Sequence, residues 1–314
     1  MEETGKNMVY LASPRGFCAG VVRAIETVRL TLGKYGPPVY VLHEIVHNKH
    51  VLAELKEKGA RFVEELTDIP KGEVCIFSAH GVSAETEQQA AELGLKTIDA
   101  TCPLVGSIHS MVENYFEKGY DVIIIGHHGH PEVEGTAGRV EGRGKVHIVA
   151  TEEEAETLRV QDEDKVAYVT QTTLSQDDIS GIREILRRRF TKIKGPYSNT
   201  CYATQNRQNA VRELAEKTEL VLVVGSKNSS NSNRLREVGE KAGVEGYLID
   251  DINDIDPVWL TGKTRVGVTA GASAPERLVQ EVIDWLRGYG LTQLEEMPGK
   301  EEKIRFRPAE LEGE

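Results

Sequence analysis

Three cysteines, Cys18, Cys102 and Cys201, stand alone in the chain, and the stretch after each repeats one plan. About 28 residues further on, each stretch reaches a strand that ends in a polar loop: His47 after Cys18, His130 after Cys102 and Ser229 after Cys201. A second strand-to-loop junction comes later, at Ser78-Ala79-His80-Gly81, Gln171-Thr172-Thr173 and Ala270-Gly271-Ala272-Ser273. Between the two loops lie a short strand and an acidic turn, in the versions Phe62-Val63-Glu64-Glu65, Ile148-Val149-Ala150-Thr151-Glu152 and Leu248-Ile249-Asp250-Asp251. Recurrence at about 90 residues implies three similar modules, each giving one thiol and two polar loops to a shared centre. Three thiolates so supplied suit a metal cluster.

Each cysteine stands just ahead of a helix-forming stretch: Ala19-Gly20-Val21-Val22-Arg23, Pro103-Leu104-Val105, and Tyr202-Ala203-Thr204-Gln205. Proline is favoured at a first helical position. A helix N-terminus lowers a thiol pKa and stabilises the thiolate, as an iron–sulfur cluster requires. Four-iron clusters take four cysteines, so a three-cysteine site implies one iron open to substrate, and catalysis rather than simple electron carriage. Two plainer readings stand beside this one. The cysteines could be small buried residues at tight turns, or ligands of tetrahedral Cys3His zinc, although structural zinc sites use close pairs such as C-x2-C that this sequence lacks. Cys75, inside the apolar run Val74-Cys75-Ile76-Phe77, reads as core.

The loops suit a small anion. His47-Asn48, His80 and Gly126-His127-His128-Gly129-His130-Pro131-Glu132 set imidazoles at strand ends, whereas Ser229-Ser230-Asn231-Ser232 offers hydroxyls and an amide at a helix start. Ser229 to Ser232 also reads as an ordinary N-cap, and both readings can hold for the same residues. Two motifs are decoys. His43-Glu44-Ile45-Val46-His47 matches the H-E-x-x-H zinc protease pattern, but it is expected to continue the strand Val39–Leu42 rather than form the helix that chemistry needs. Gly142-Arg143-Gly144-Lys145 lacks the spacing and the Lys-Ser/Thr ending of a phosphate-binding loop.

The elements that must carry these loops are alternating strands and helices. Val39–Leu42, Val74–Phe77, Val122–Ile125, Val166–Thr170, Leu220–Val224 and Arg265–Thr269 are short and almost wholly apolar, as strands buried on both faces are. Helical spacing appears at Val21, Val22, Ile25, Val28 and Leu32, at Ile182, Ile185 and Leu186, and at Val211, Leu214 and Ala215. This alternation predicts an α/β fold with mainly parallel sheets, whose ligand loops gather at the carboxyl ends of the strands. The expected divisions are 18–101, 102–197 and 198–289, the last joined by an N-terminal strand at 8–17, with a charged tail at 290–314 lying over the surface. A formal charge of −12 argues against nucleic acid or an anionic membrane as partner. No apolar run approaches the roughly 20 residues of a membrane helix, and the start MEETGKN does not read as a signal peptide. The expectation is a cytoplasmic protein whose widely spaced thiols are not paired as disulfides.

A family resemblance rests on longer motifs. These are Pro14-Arg15-Gly16-Phe17-Cys18-Ala19-Gly20-Val21, His43 to Asn48, Phe77-Ser78-Ala79-His80-Gly81-Val82 and Asp99-Ala100-Thr101-Cys102-Pro103-Leu104-Val105. Later come Gly129-His130-Pro131-Glu132-Val133-Glu134-Gly135-Thr136, Thr170 to Ser175, Gly225 to Ser232, and Thr269-Ala270-Gly271-Ala272-Ser273-Ala274-Pro275. With them the chain closely resembles the 4-hydroxy-3-methylbut-2-enyl diphosphate reductases over roughly residues 8 to 290, in their short, reductase-only form.

The resemblance implies a trefoil of three α/β modules around one central [4Fe–4S] cluster, ligated by Cys18, Cys102 and Cys201. It implies that an allylic hydroxyl is removed reductively, giving isopentenyl and dimethylallyl diphosphates, with electrons arriving singly from a donor such as ferredoxin or flavodoxin. His47, His80, His130, Ser229, Ser230, Asn231 and Ser273 then bind the diphosphate. Glu132 delivers a proton, and Thr172 lies beside the substrate hydroxyl. The rival readings are a non-catalytic iron–sulfur sensor or electron carrier, and a zinc hydrolase built on His43 and His47.

Overall fold

The computed structural model describes residues 7–140 and 145–311. The amino-terminal MEETGK and the glycine run Gly142-Arg143-Gly144 lie outside the described residues. Three sheets form, and every strand pair in them is parallel. The chain divides into two compact units.

The first unit holds the described residues up to Ala19, His47–Val51 and Tyr202–Ile304. Its five-stranded sheet runs in the order Glu245–Ile249, Leu220–Val224, Arg265–Ala270, Met8–Leu11, Gln293–Glu296. Leu220–Val224 reads Leu-Val-Leu-Val-Val and is buried throughout, as a central strand covered on both faces must be. The helix Glu276–Tyr289 turns Leu278, Val279, Val282, Ile283 and Leu286 onto the sheet at threefold and fourfold spacing. It ends at Gly290, whose φ of 118° closes the last turn in the left-handed region. Gln293–Glu296 lies within the stretch expected to be a surface tail. Its sequence Gln-Leu-Glu-Glu carries no buried-strand signal because it is an exposed edge strand beside Met8–Leu11.

The second unit holds Gly20–Val46, Leu52–Cys201 and the described residues from Arg305 on. It has a four-stranded sheet, ordered Ala60–Val63, Val39–Leu42, Val74–Phe77, Lys96–Asp99, and a three-stranded one, ordered Val146–Val149, Asp121–Ile125, Val166–Thr170. The strand at 96–99 escaped the pattern because three of its four residues are exposed. The helix Gln176–Arg189 begins with a reciprocal capping box between Ser175 and Asp178 and buries Ile179, Ile182, Ile185 and Leu186.

One expectation is corrected. Residues 43–47 do not extend the strand Val39–Leu42. His43 takes a φ of 58°, which breaks the extended backbone, and the segment runs as irregular loop until Lys49–Glu57 begins a helix. The consequence for H-E-x-x-H is unchanged, since His43 and His47 do not share a helical face.

Candidate functional site

In the second unit, the strand ends and helix starts bring four of the expected residues into two pairs. Ser78, at the end of Val74–Phe77, bonds the His80 Nδ1 at 3.2 Å, so the imidazole is held at the turn. The rings of His80 and His130 meet edge to face with centroids 5.9 Å apart. His130 caps the helix Pro131–Ala137, its Nδ1 accepting the Glu132 amide at 3.1 Å. This requires the tautomer with hydrogen on Nε2, which leaves the other ring nitrogen a donor. Glu132 is 4% exposed and takes both polar hydrogens of Thr172: the amide at 2.6 Å and the hydroxyl at 2.7 Å. Burial raises the Glu132 carboxyl above its ordinary range, against the lowering effect of the two Thr172 bonds. A carboxyl held that way is suited to keep a proton and give it up to a reacting group.

In the first unit, helix starts again carry the polar groups. Asn48 Oδ1 accepts the amides of His50 and Val51 at 3.1 Å each, capping the helix that begins at Lys49. Ser229 caps Ser230–Lys241 and accepts from both the amide and the hydroxyl of Ser232, at 3.3 and 3.1 Å. Asn231 Oδ1 accepts the Ala272 amide at 2.9 Å, tying that helix start to the next loop. Ser273 donates its hydroxyl to the His47 carbonyl at 2.9 Å. Gly271 makes the approach possible, because a Cβ there would lie 2.0 Å from Ser232 Oγ. His47, Ser229, Asn231 and Ser273 are thus joined through one loop cluster, and Ser230 is the first residue of the capped helix.

The cysteines follow a rule that the linear repeat conceals. Each is followed directly by a helix: Ala19–Tyr35, Pro103–Glu117 and Tyr202–Ala215. Each donates its amide to a carbonyl in a second strand-end loop: Cys18 to Ala272 at 3.1 Å, Cys102 to Ala79 at 3.0 Å, Cys201 to Thr172 at 3.0 Å. The loop that holds a cysteine therefore belongs to a different sheet from the strands that come after that cysteine in sequence. Glu132 and Asn231 serve this arrangement alike, since Thr172 and Ala272, whose amides they bind, are the residues whose carbonyls hold Cys201 and Cys18. All four cysteines are free thiols. The three are partly exposed, while Cys75 is fully buried in its strand and its thiol is pushed up to about 12 by that burial. Among the described residues no three His, Cys, Asp or Glu side chains gather for a single metal ion. A cluster makes no such demand, because its thiolates bond different irons.

The chain as a whole has relatives among known proteins. The family model described as LytB protein matches residues 9–287. The chain belongs to the LytB family. A 4-hydroxy-3-methylbut-2-enyl diphosphate reductase of Desulfotalea psychrophila is 61% identical to this LytB chain over 310 residues, covering 99% of it and 98% of the relative. One from Zymomonas mobilis is 54% identical over 300 residues, covering 95% and 88%. The solved E-1-hydroxy-2-methyl-but-2-enyl-4-diphosphate reductase of Plasmodium falciparum superposes with a TM-score of 0.91 at 39% identity, covering 96% of this chain and 94% of its own. A second solved structure, described as the reductase that is the terminal enzyme of the non-mevalonate pathway, gives 0.65 at 32% identity, covering 90% and 99%. The α/β fold with parallel sheets is therefore the LytB fold. No helix among the described residues is long and apolar enough to cross a membrane.

Several residues that brace these loops left no trace in the sequence pattern. Arg23 and Arg207 look like the polar faces of helices, yet both turn inward to backbone carbonyls beside cysteines. His109 reads as one polar residue on an apolar face. It is buried against the His80 loop, where a Cβ on Gly81 would lie 2.5 Å from its ring.

Proposed function

We propose that the chain is a 4-hydroxy-3-methylbut-2-enyl diphosphate reductase, converting its substrate, two electrons and two protons into isopentenyl or dimethylallyl diphosphate and water. The observation that carries this reading is the 61% identity, over almost the whole of both chains, to a protein of that name. The cofactor assigned is one [4Fe–4S] cluster on Cys18, Cys102 and Cys201. The donor set fits it: three partly exposed thiols, each at a helix N-terminus where the backbone favours negative charge. When bound, the cluster supplies the two electrons, drawn in turn from a carrier such as ferredoxin or flavodoxin in the cytoplasm.

The rest falls to the chain's own side chains. His47, His80, His130, Ser229, Ser230, Asn231 and Ser273 bind the diphosphate, helped by the backbone amides at two helix starts. Glu132, whose carboxyl burial shifts toward its protonated form, hands its hydrogen on by way of Thr172 Oγ1, 2.7 Å away, as the threonine turns its own hydrogen from Glu132 to the departing hydroxyl. The C–O bond breaks, water leaves, and the second proton, assigned to the diphosphate itself, completes the new C–H bond. Reading this site as a bare electron carrier leaves the buried Glu132–Thr172 pair and the capped anion loops without work. A zinc hydrolase on His43 and His47 fails on the irregular backbone between them.

The test is oxygen-free purification followed by turnover with reduced viologen. Iron and sulfide in the protein, with viologen oxidised only when substrate is present and both isoprenoid diphosphates formed, is the expected result. Zinc in place of iron, or oxidation that ignores the substrate, overturns it.

A further inference from the structure

Arg207 is the largest fully buried side chain among the described residues, 1% exposed, and it sits one and a half turns into the helix that follows Cys201. A guanidinium has five N–H donors, and all five are used within the first unit. Nε donates to the Gly16 carbonyl at 3.0 Å and Nη2 to the Phe17 carbonyl at 3.3 Å. Nη1 donates to the Ala203 carbonyl at 2.9 Å. The remaining two N–H groups take the carboxylate of Glu302, at 3.0 to 3.2 Å, and the Asn206 amide donates to the same carboxylate at 3.0 Å. Gly16 and Phe17 are the two residues directly before Cys18. Their peptide planes set the direction in which Cys18 leaves the backbone.

The same device occurs in the second unit. Arg23, on the helix after Cys18, donates to the Thr101 carbonyl at 2.8 Å and the Asp99 carbonyl at 3.2 Å, just ahead of Cys102. Ahead of Cys201 the loop is braced by its own Asn199, which exchanges two bonds with Thr170 at 2.8 and 2.9 Å. A buried guanidinium such as that of Arg207 is costly unless fully paired, and the two backbone carbonyls directly ahead of Cys18 are an unusual choice of partner for general packing.

We infer that Arg207 and Arg23 are positioning residues for Cys18 and Cys102, and that Glu302 is the latch that keeps Arg207 on the Cys18 loop. The latch arrives along a defined path. Past the edge strand Gln293–Glu296, Met297 donates its amide to the Leu11 carbonyl at 2.8 Å, and Gly299 runs so close to Ser13 that a Cβ there would lie 2.0 Å from the Ser13 carbonyl. Residues 293–302 thus follow 8–17 along its length. The meaning of this for catalysis rests on Cys18 and Cys102 being cluster ligands, but the positioning itself does not.

Thiol alkylation in the full-length, metal-stripped protein tests the inference without any cluster. Arg207→Lys keeps a charge but has no fork to reach both carbonyls, and Glu302→Gln removes only the counter-charge. Each should speed alkylation of Cys18 about tenfold, as loss of a charge-assisted hydrogen bond implies for local opening, with Cys102 and Cys201 unchanged. Arg23→Lys should do the same for Cys102 alone. Equal acceleration at all three cysteines, or none at Cys18 in Glu302→Gln with a wild-type melting temperature, overturns the inference. In the holoprotein the matching readout is faster loss of iron to a chelator. If alkylation responds as stated and no iron–sulfur protein can be prepared, the positioning stands and the cluster assignment falls.

Discussion

Glu132 accepts from Thr172 twice, through the amide and through the hydroxyl, so a single carboxylate both fixes the loop and orients the Thr172 hydroxyl. This separates two roles that one substitution could confuse. Glu132→Gln keeps an oxygen for the Thr172 amide and cannot deliver a proton. It should retain iron, sulfide and substrate affinity while single-turnover rates of the pre-reduced enzyme fall by about 10²–10⁴-fold. Wild-type turnover should decline as pH rises past the raised Glu132 pKa, a limb that the glutamine variant lacks. A rate within about threefold of wild type would leave Glu132 a loop anchor only.

Asn231→Asp provides the converse separation. An aspartate still accepts the Ala272 amide, and at a helix start its charge favours the helix. Beside a bound diphosphate the same charge is repulsive. The melting temperature should hold or rise while KM increases by at least about tenfold, the effect of one unfavourable charge contact at short range. Unchanged KM would remove Asn231 from the diphosphate site.

Cysteine replacements should divide sharply. Ser at Cys18, Cys102 or Cys201 should cost the cluster, read as iron and sulfide content, and all activity. Ser at Cys75 should keep both and cost about 1–3 kcal/mol of stability, because a hydroxyl enters a fully buried strand. A colourless Cys75→Ser protein beside a brown Cys102→Ser protein would reverse the assignment.

His109 predicts how stability varies with acid. Burial, then the nearby Arg139 guanidinium, push its pKa from 6.5 down to about 4, so the folded protein holds the ring neutral. The unfolded chain binds a proton that the folded one refuses. The contribution is therefore complete above about 6.5 and lost as pH falls from there toward 4, amounting to on the order of 3 kcal/mol. Denaturant midpoints between pH 7 and 4 should fall more steeply in wild type than in His109→Gln. Parallel slopes would show that His109 does not carry the effect.

Much of this was legible in the residues. Four strands, Val39–Leu42, Val74–Phe77, Val166–Thr170 and Leu220–Val224, form over the very spans their apolar runs mark, because strands buried on both faces write their limits in composition. The edge strands Lys96–Asp99 and Gln293–Glu296 write nothing, since solvent on one side permits polar side chains. The candidate loops were legible because polar residues at strand ends interrupt an apolar text. Arg207 was not, for a guanidinium that spends its donors on main-chain oxygen and one carboxylate looks in sequence like any solvated arginine. Nor could the repeat reveal which loop holds which cysteine, because hydrogen bonds to carbonyls are indifferent to side-chain identity.

The strand Met8–Leu11 pairs on one side with Arg265–Ala270 and on the other with Gln293–Glu296. A ribosome makes it well ahead of both neighbours. During synthesis Cys18 emerges long before Ala272, Arg207 and Glu302, the three residues that secure its loop. The first thiol translated is thus the last to acquire a fixed backbone. A Cys18 thiol fixed in this pose must wait for Ala272 and Glu302, and a nascent chain stopped short of residue 265 has no means of presenting it so.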